Sequence, residues 1–288
     1  GRVLSITRKV FPDIGDQSFV ALRPDGTKAE LFYEGTDGSK LINRAWETDN
    51  GKIVFIESDK KLENKGDIIS ISYNRPLHTR ENLTSDIKGD FSNVFPMPSG
   101  LMLVSYRPSE TYHYALYEFD PDKKVVGKSI YSNSDYNVLE AVLVRKYDRP
   151  KKLPSEVDMG VKTGLLLCQD LNISDLKTTL LASANSKAYQ IEVIGIDSSL
   201  GVVQAEKDGS LYLKVMADKP FQLRALDNKG NILGKSCDWI WLRPNERRGC
   251  VGCHEDHEMV PENRVPVAVR NLPVNIPAPP RITVLLSP

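Results

Sequence analysis

Three times in the first 106 residues a glycine-bearing turn stands beside a short β-rich run. These are Phe19-Val20-Ala21-Leu22 before Pro24-Asp25-Gly26, Ile53-Val54-Phe55-Ile56 after Asp49-Asn50-Gly51, and Leu101-Met102-Leu103-Val104-Ser105-Tyr106 after Pro98-Ser99-Gly100. Strand, glycine turn, strand is the pattern of a β-meander. The spacing is uneven but blade-sized, which suggests divergent propeller blades of about 40 to 50 residues. About three fit into residues 1–148, and a propeller needs about four to close, so the missing blades are expected on a segment outside this chain.

The charged, proline-bearing stretch Arg149-Pro150-Lys151-Lys152-Leu153-Pro154 disfavours helix and central strand alike and marks a domain boundary. Beyond it, Thr163–Cys168, Ala188–Gly195, Leu211–Val215 and Phe221–Leu226 again read as strands, with hairpin turns at Asp208-Gly209 and Asn228-Lys229-Gly230. The whole chain is therefore expected to be all-β. Residues 149–260 form a β-sandwich or barrel-like domain, and residues 261–288, with Pro261, Pro266, Pro273, Pro277, Pro279 and Pro280, form an extended arm that lies over the protein or reaches a partner.

With 288 residues, 40% hydrophobic and 26% charged, the chain has the composition of a globular protein large enough for two cores. Lys plus Arg equals Asp plus Glu at 38 each, so there is no basic field for a phosphate backbone, and nucleic acid is excluded as a partner. No apolar run reaches the roughly 18 residues that span a bilayer. The start, Gly1-Arg2-Val3-Leu4-Ser5, carries neither a methionine nor a signal peptide, as expected of a processed protein or a fragment.

One motif carries chemistry. Cys250-Val251-Gly252-Cys253-His254 has the spacing of a c-type haem attachment site: two thiols that can each form a thioether to a haem vinyl group, and an imidazole for the iron. Cys250, Cys253 and His254 are the candidate cofactor-binding residues, with His254 as proximal iron ligand. Trp239 and Trp241 alternate along an apparent strand just before the motif, where either could pack on a porphyrin or in the core. Two other readings compete. Cys237, Cys250, Cys253 and either His254 or His257 could supply a tetrahedral zinc site, and Cys250 could bridge to Cys253 as a strained disulfide. Cys168 and Cys237 read as buried thiols, with a bridge between them left open.

The run from Leu211 to Asp256 carries a resemblance. Its parts are Lys219–Asp227, Gly230 and Arg243-Pro244-Asn245-Glu246-Arg247-Arg248-Gly249-Cys250-Val251-Gly252-Cys253-His254-Glu255. Together with Tyr131–Asn137 and Lys162–Cys168 upstream, it is similar to the haem-bearing module of the hydrazine synthase alpha subunit family. The resemblance implies a propeller followed by a β-domain with one c-type haem. In that family's enzyme a tyrosine four residues after the motif histidine ligates the iron, and the histidine serves a zinc ion. Here that position is Glu258, so the resemblance does not carry hydrazine chemistry with it.

A haem iron has two axial positions; filling both suits electron transfer, and leaving one open suits catalysis. His113, set among Tyr112, Tyr114 and Tyr117, is the best placed distal candidate, with His257 as an alternative ligand and His78, Met97 and Met216 behind them. Covalent haem attachment implies export to the periplasm or cell surface. The sequence thus leads to an exported cytochrome that passes electrons between redox partners. A haem redox enzyme acting on a small nitrogen or oxygen species is the second reading, and a zinc-stabilised β binding protein the third.

Overall fold

The computed structural model describes residues 1–8, 16–36, 38–59, 66–147, 154–173, 187–234, 236–237, 239–252 and 262–277. It divides into two compact units: Gly1–Leu22 with Glu30–Lys152, and Arg23–Ala29 with Leu153–Pro288. Among the described residues the regular structure of both is β apart from one 3₁₀ turn, Val267–Arg270. Among the described residues no helix is long and apolar enough to cross a membrane.

The first unit contains three antiparallel sheets in chain order. β1 (Val3–Arg8), β2 (Gln17–Leu22) and β3 (Glu30–Tyr33) form one, and β4 (Ser39–Leu41), β5 (Trp46–Glu47), β6 (Lys52–Asp59), β7 (Gly66–Ser72) and β8 (Glu81–Asn82) the next. β9 (Asp90–Pro96), β10 (Met102–Arg107), β11 (Ala115–Asp120) and β12 (Val125–Tyr131) form the third. The apolar run in β6 explains why these sheets stack. A strand buried on both faces reads as a continuous hydrophobic run, and alternate side chains go to opposite sides. Ile53 and Phe55 pack with Phe19 and Tyr33 of the first sheet, the rings of Phe19 and Phe55 meeting edge to face at 5.1 Å. Val54 and Ile56 pack with Phe91, Val94, Val104 and Phe119 of the third. The three expected blades correspond to these three sheets.

The second unit is a sandwich. One sheet has the order β18 (Arg247–Cys250), β13 (Thr163–Cys168), β16 (Leu211–Met216), β19 (Val274–Asn275); the other is β15 (Ser199–Gln204), β14 (Gln190–Ile194), β17 (Gln222–Leu226). β13, β14 and β16 each contribute every second residue to the shared core: Leu166 and Cys168, Ile191 and Val193, and Leu211, Leu213 and Val215. The Asp208-Gly209 turn differs from the hairpin expected there. It joins β15 to β16, which lie in different sheets, because an Asp-Gly turn fixes a reversal of the chain and not which strands pair. Of the proline-rich arm, residues 262–277 are described: Ala268 and Ile276 are buried, and Val274 and Asn275 pair in parallel with Leu213 and Lys214.

Candidate functional site

The motif begins on an edge strand whose position is set by one buried acid. Glu246 is fully buried. Its carboxylate accepts the backbone N–H of Arg243 and of Lys28, each at 2.8 Å, and the Arg248 guanidinium at 3.1 and 2.8 Å. Its own carbonyl accepts the Leu165 amide at 2.8 Å. A buried carboxylate is tolerable only with such complete pairing, so the satisfied Glu246 fixes where the following strand starts. β18 then runs parallel to β13 with Leu165 opposite Arg247 and Cys168 opposite Cys250. The pairing continues past the strand: Gln169 N–H donates to Cys250 C=O at 3.0 Å, and Asp170 N–H to Val251 C=O at 3.1 Å.

Cys250 is half-buried at the end of this edge strand, beside the buried Cys168. Two residues on, a Cβ at Gly252 would lie 2.1 Å from the Ile173 carbonyl oxygen, so only glycine fits. Cys253, His254, His257 and Glu258 lie outside the described residues. Cys237 sits beside β17 of the other sheet, where its N–H donates to Leu223 C=O at 2.9 Å and its Sγ accepts the Leu223 N–H at 3.0 Å. The cysteine in register with Cys250 is thus Cys168, a pairing that sequence spacing could not reveal.

Trp239 and Trp241 flank Ile240, which exchanges hydrogen bonds with Phe221 at 2.9 Å in both directions. Ile240 and Leu242 pack into the sandwich core, so alternation turns the two half-buried indoles to the opposite face. Met216 pairs with Thr163 at one end of β13 and Cys250 with Cys168 at the other. Five residues at about 3.3 Å each put roughly 17 Å between them along the strands.

The remaining axial candidates belong to the first unit. His113 is exposed, and its Nδ1 lies 3.2 Å from Asn137 Oδ1. Of its aromatic neighbours, Tyr112 is exposed and Tyr117 meets Tyr106 edge to face at 5.3 Å. Tyr114 is buried and donates to Asp90, a carboxylate also held by Arg107 at 3.0 and 3.1 Å. Burial and that carboxylate push the Tyr114 phenol well above its ordinary pKa. A cavity of about 310 Å³ lies alongside, lined by Arg107, Tyr114, Asn137, Phe91, Ile42 and Leu139 among others. His78 is exposed in the turn between β7 and β8, and Met97 sits in the turn between β9 and β10.

Three residues near the motif escaped the sequence reading: Glu246, Asp208 and Arg264. Asp208 accepts Ser210 Oγ at 2.6 Å, the Ser210 N–H at 3.1 Å and the Val267 N–H at 2.9 Å, and pairs with Arg264. Burial opposes its ionisation, but these hydrogen bonds outweigh it and hold the carboxyl at about 2. The Asp-Gly-Ser turn was the available signal for Asp208. A lone Glu among arginines gives none for Glu246.

Residues 145–255 match the family model of the hydrazine synthase alpha subunit middle domain. Hydrazine synthase subunit alpha of Kuenenia stuttgartiensis is 23% identical over a 266-residue alignment that covers 70% of this chain and 33% of that protein. The solved Kuenenia stuttgartiensis hydrazine synthase superposes with a TM-score of 0.75 at 21% identity, covering 94% of this chain and 44% of that one. The chain therefore spans between a third and a half of the length of these relatives. Residues 145–255 thus resemble the hydrazine synthase alpha subunit middle domain in sequence, and the chain is similar in fold to the solved hydrazine synthase.

Proposed function

We propose that the second unit holds a covalently attached c-type haem, with Cys250 and Cys253 as the thioether donors and His254 as an iron ligand, in an exported electron-transfer protein. The observation that supports this most is the setting of Cys250. Its thiol is half-buried at the end of an edge strand whose main chain is bonded through Val251, so the first attachment point is rigid yet accessible. The donor set, two thiols and an imidazole within five residues, fits haem attachment. Gly252 fits as well, since the chain must pass the Ile173 carbonyl between the two cysteines with no side chain in the way. Trp239 and Trp241 offer half-buried indole faces on the side away from the core, suited to packing on a flat apolar ring. Bound there, haem supplies one-electron chemistry at iron, tuned by its axial ligands.

The zinc reading is weakened because the Cys237 thiol already accepts the Leu223 amide. The enzyme reading keeps the likeness to a hydrazine synthase subunit in its favour, and Glu258 in place of the family's tyrosine against it. A pyridine haemochrome spectrum of the protein made with a secretory leader and the haem-attachment machinery tests the cofactor. A c-type spectrum lost on Cys250→Ser with Cys253→Ser is expected, and no Soret band in the wild type would sink both haem readings. Carbon monoxide then separates electron transfer from catalysis. A low-spin iron indifferent to it supports transfer, and ready binding supports an open, enzyme-like site.

A further inference from the structure

Between the second and third sheets of the first unit lies the cavity of about 310 Å³, and every residue lining it belongs to that unit. Phe91 and Tyr114 are buried in its wall, and Asn137 and Leu139 are exposed at its mouth. At about 30 Å³ for each heavy atom, the share of a water molecule in the liquid, the space holds roughly ten non-hydrogen atoms. A volume of this size lies at the lower end of the range for small-molecule sites.

Two side chains bring donors to this cavity. Arg107 gives Nε and Nη2 to one oxygen of Asp90, at 3.1 and 3.0 Å, and its guanidinium lies over the Tyr114 ring at 4.5 Å. The Tyr114 hydroxyl donates to the same oxygen, and the Gly66 N–H to the other at 2.7 Å. Asp90 thus holds the guanidinium in place by one edge and leaves Nη1 on the other. Asn137 Oδ1 accepts the Tyr114 N–H at 2.9 Å, which fixes the carboxamide with Nδ2 as its open end. Among the described residues no acceptor meets Arg107 Nη1 or Asn137 Nδ2. The Arg107 side chain is 17% exposed, so a hydrogen bond to it is screened less by solvent than one at the surface.

We propose that this cavity binds a small organic carboxylate with an apolar body. The two carboxylate oxygens accept Arg107 Nη1 and Asn137 Nδ2, and the body lies against Phe91, Ile42 and Leu139. Asp90 already balances the Arg107 charge, so a single negative charge suits the site and a doubly charged phosphate does not. The site lies wholly in the first unit and does not depend on what the cysteines carry.

Benzoate, with benzamide as its neutral isostere, is the probe, each titrated into the whole chain by calorimetry. Benzoate is expected to bind with a Kd of about 0.1–1 mM, and benzamide about tenfold more weakly. Bound benzoate should slow amide exchange in the peptides carrying Phe91 and Tyr114. Asn137→Asp keeps an oxygen for the Tyr114 N–H but sets a negative charge where the donor was, and is expected to weaken benzoate at least about tenfold. Arg107→Lys keeps a cation beside Asp90 without the second edge of the fork, and a loss of about tenfold is expected. A control, Arg80→Lys, alters the matching grip on Glu57 in the second sheet and should leave benzoate binding at the wild-type value. A folded wild type that gives no benzoate signal up to about 10 mM overturns the proposal. Benzamide binding as tightly as benzoate overturns the carboxylate class. Exchange protection confined to other peptides, or a folded Asn137→Asp that binds like the wild type, overturns the placement. The comparison of the two probes and the exchange map use the wild type alone, so a variant that fails to fold does not decide the matter.

Discussion

At Gly252 the backbone passes so close to Ile173 that a single methyl group has nowhere to go. Gly252→Ala is therefore expected to destabilise the second unit by about 1–3 kcal/mol, as overpacking does, and to lower the yield of covalently loaded protein. Chemical denaturation and the ratio of Soret to protein absorbance read these two effects separately. Asp208 makes a prediction about pH. Its carboxyl is held at about 2, against an ordinary value of 3.8, so its contribution to stability is complete above about pH 4 and is lost as the pH falls through about 2. Urea unfolding between pH 5 and pH 2 should show the wild type losing about 2 kcal/mol more than Asp208→Asn, which has no such carboxyl to protonate. An identical pH slope for the two proteins contradicts the assignment.

Among the elements, β18 and β6 show opposite sources of order. β6 is specified by its own residues: Ile53-Val54-Phe55-Ile56 is apolar at every position, and a strand so composed must be covered on both faces. β18 is Arg-Arg-Gly-Cys, with almost nothing apolar to bury, and its place comes from Glu246 one residue earlier. Glu246→Ala leaves the Arg248 guanidinium, 11% exposed, without its carboxylate and strands the amides of Lys28 and Arg243. The expected cost is about 3–5 kcal/mol, measured by equilibrium unfolding, against less than about 0.5 kcal/mol for a surface change such as Lys123→Ala. This contrast also explains what could be read from the chain. Strands with a hydrophobic signature of their own, such as β6, β13 and β16, lie where alternation and turn residues put them. The setting of the motif was not legible, because it depends on the Lys28 amide reaching the buried Glu246 carboxylate and on Cys168 meeting Cys250 across a parallel pairing, both contacts between distant parts of the sequence. The Asp208-Gly209 turn failed for a related reason: local chemistry dictates a reversal, while the sandwich core decides which sheet the next strand joins.

For the whole molecule, the three stacked sheets of the first unit and the sandwich of the second agree in fold with the hydrazine synthase relative, of which this chain covers 44%. The first unit repeats one device: a buried carboxylate gripped by a tyrosine and an arginine, Glu57 with Tyr33 and Arg80, then Asp90 with Tyr114 and Arg107. Removing one carboxylate, as in Asp90→Ala, should cost about 3–5 kcal/mol by leaving a desolvated cation, an effect visible in the unfolding midpoint. The second unit carries the motif, and the account turns on what is bonded to its cysteines. The intact mass of the denatured, secreted chain decides this directly. One attached haem adds about 616 daltons, a figure set by the cofactor's composition, and that mass is expected for the wild type and lost from the variant lacking both Cys250 and Cys253. A wild-type chain with the bare polypeptide mass, made where the haem-attachment machinery demonstrably works on a control cytochrome, contradicts the account.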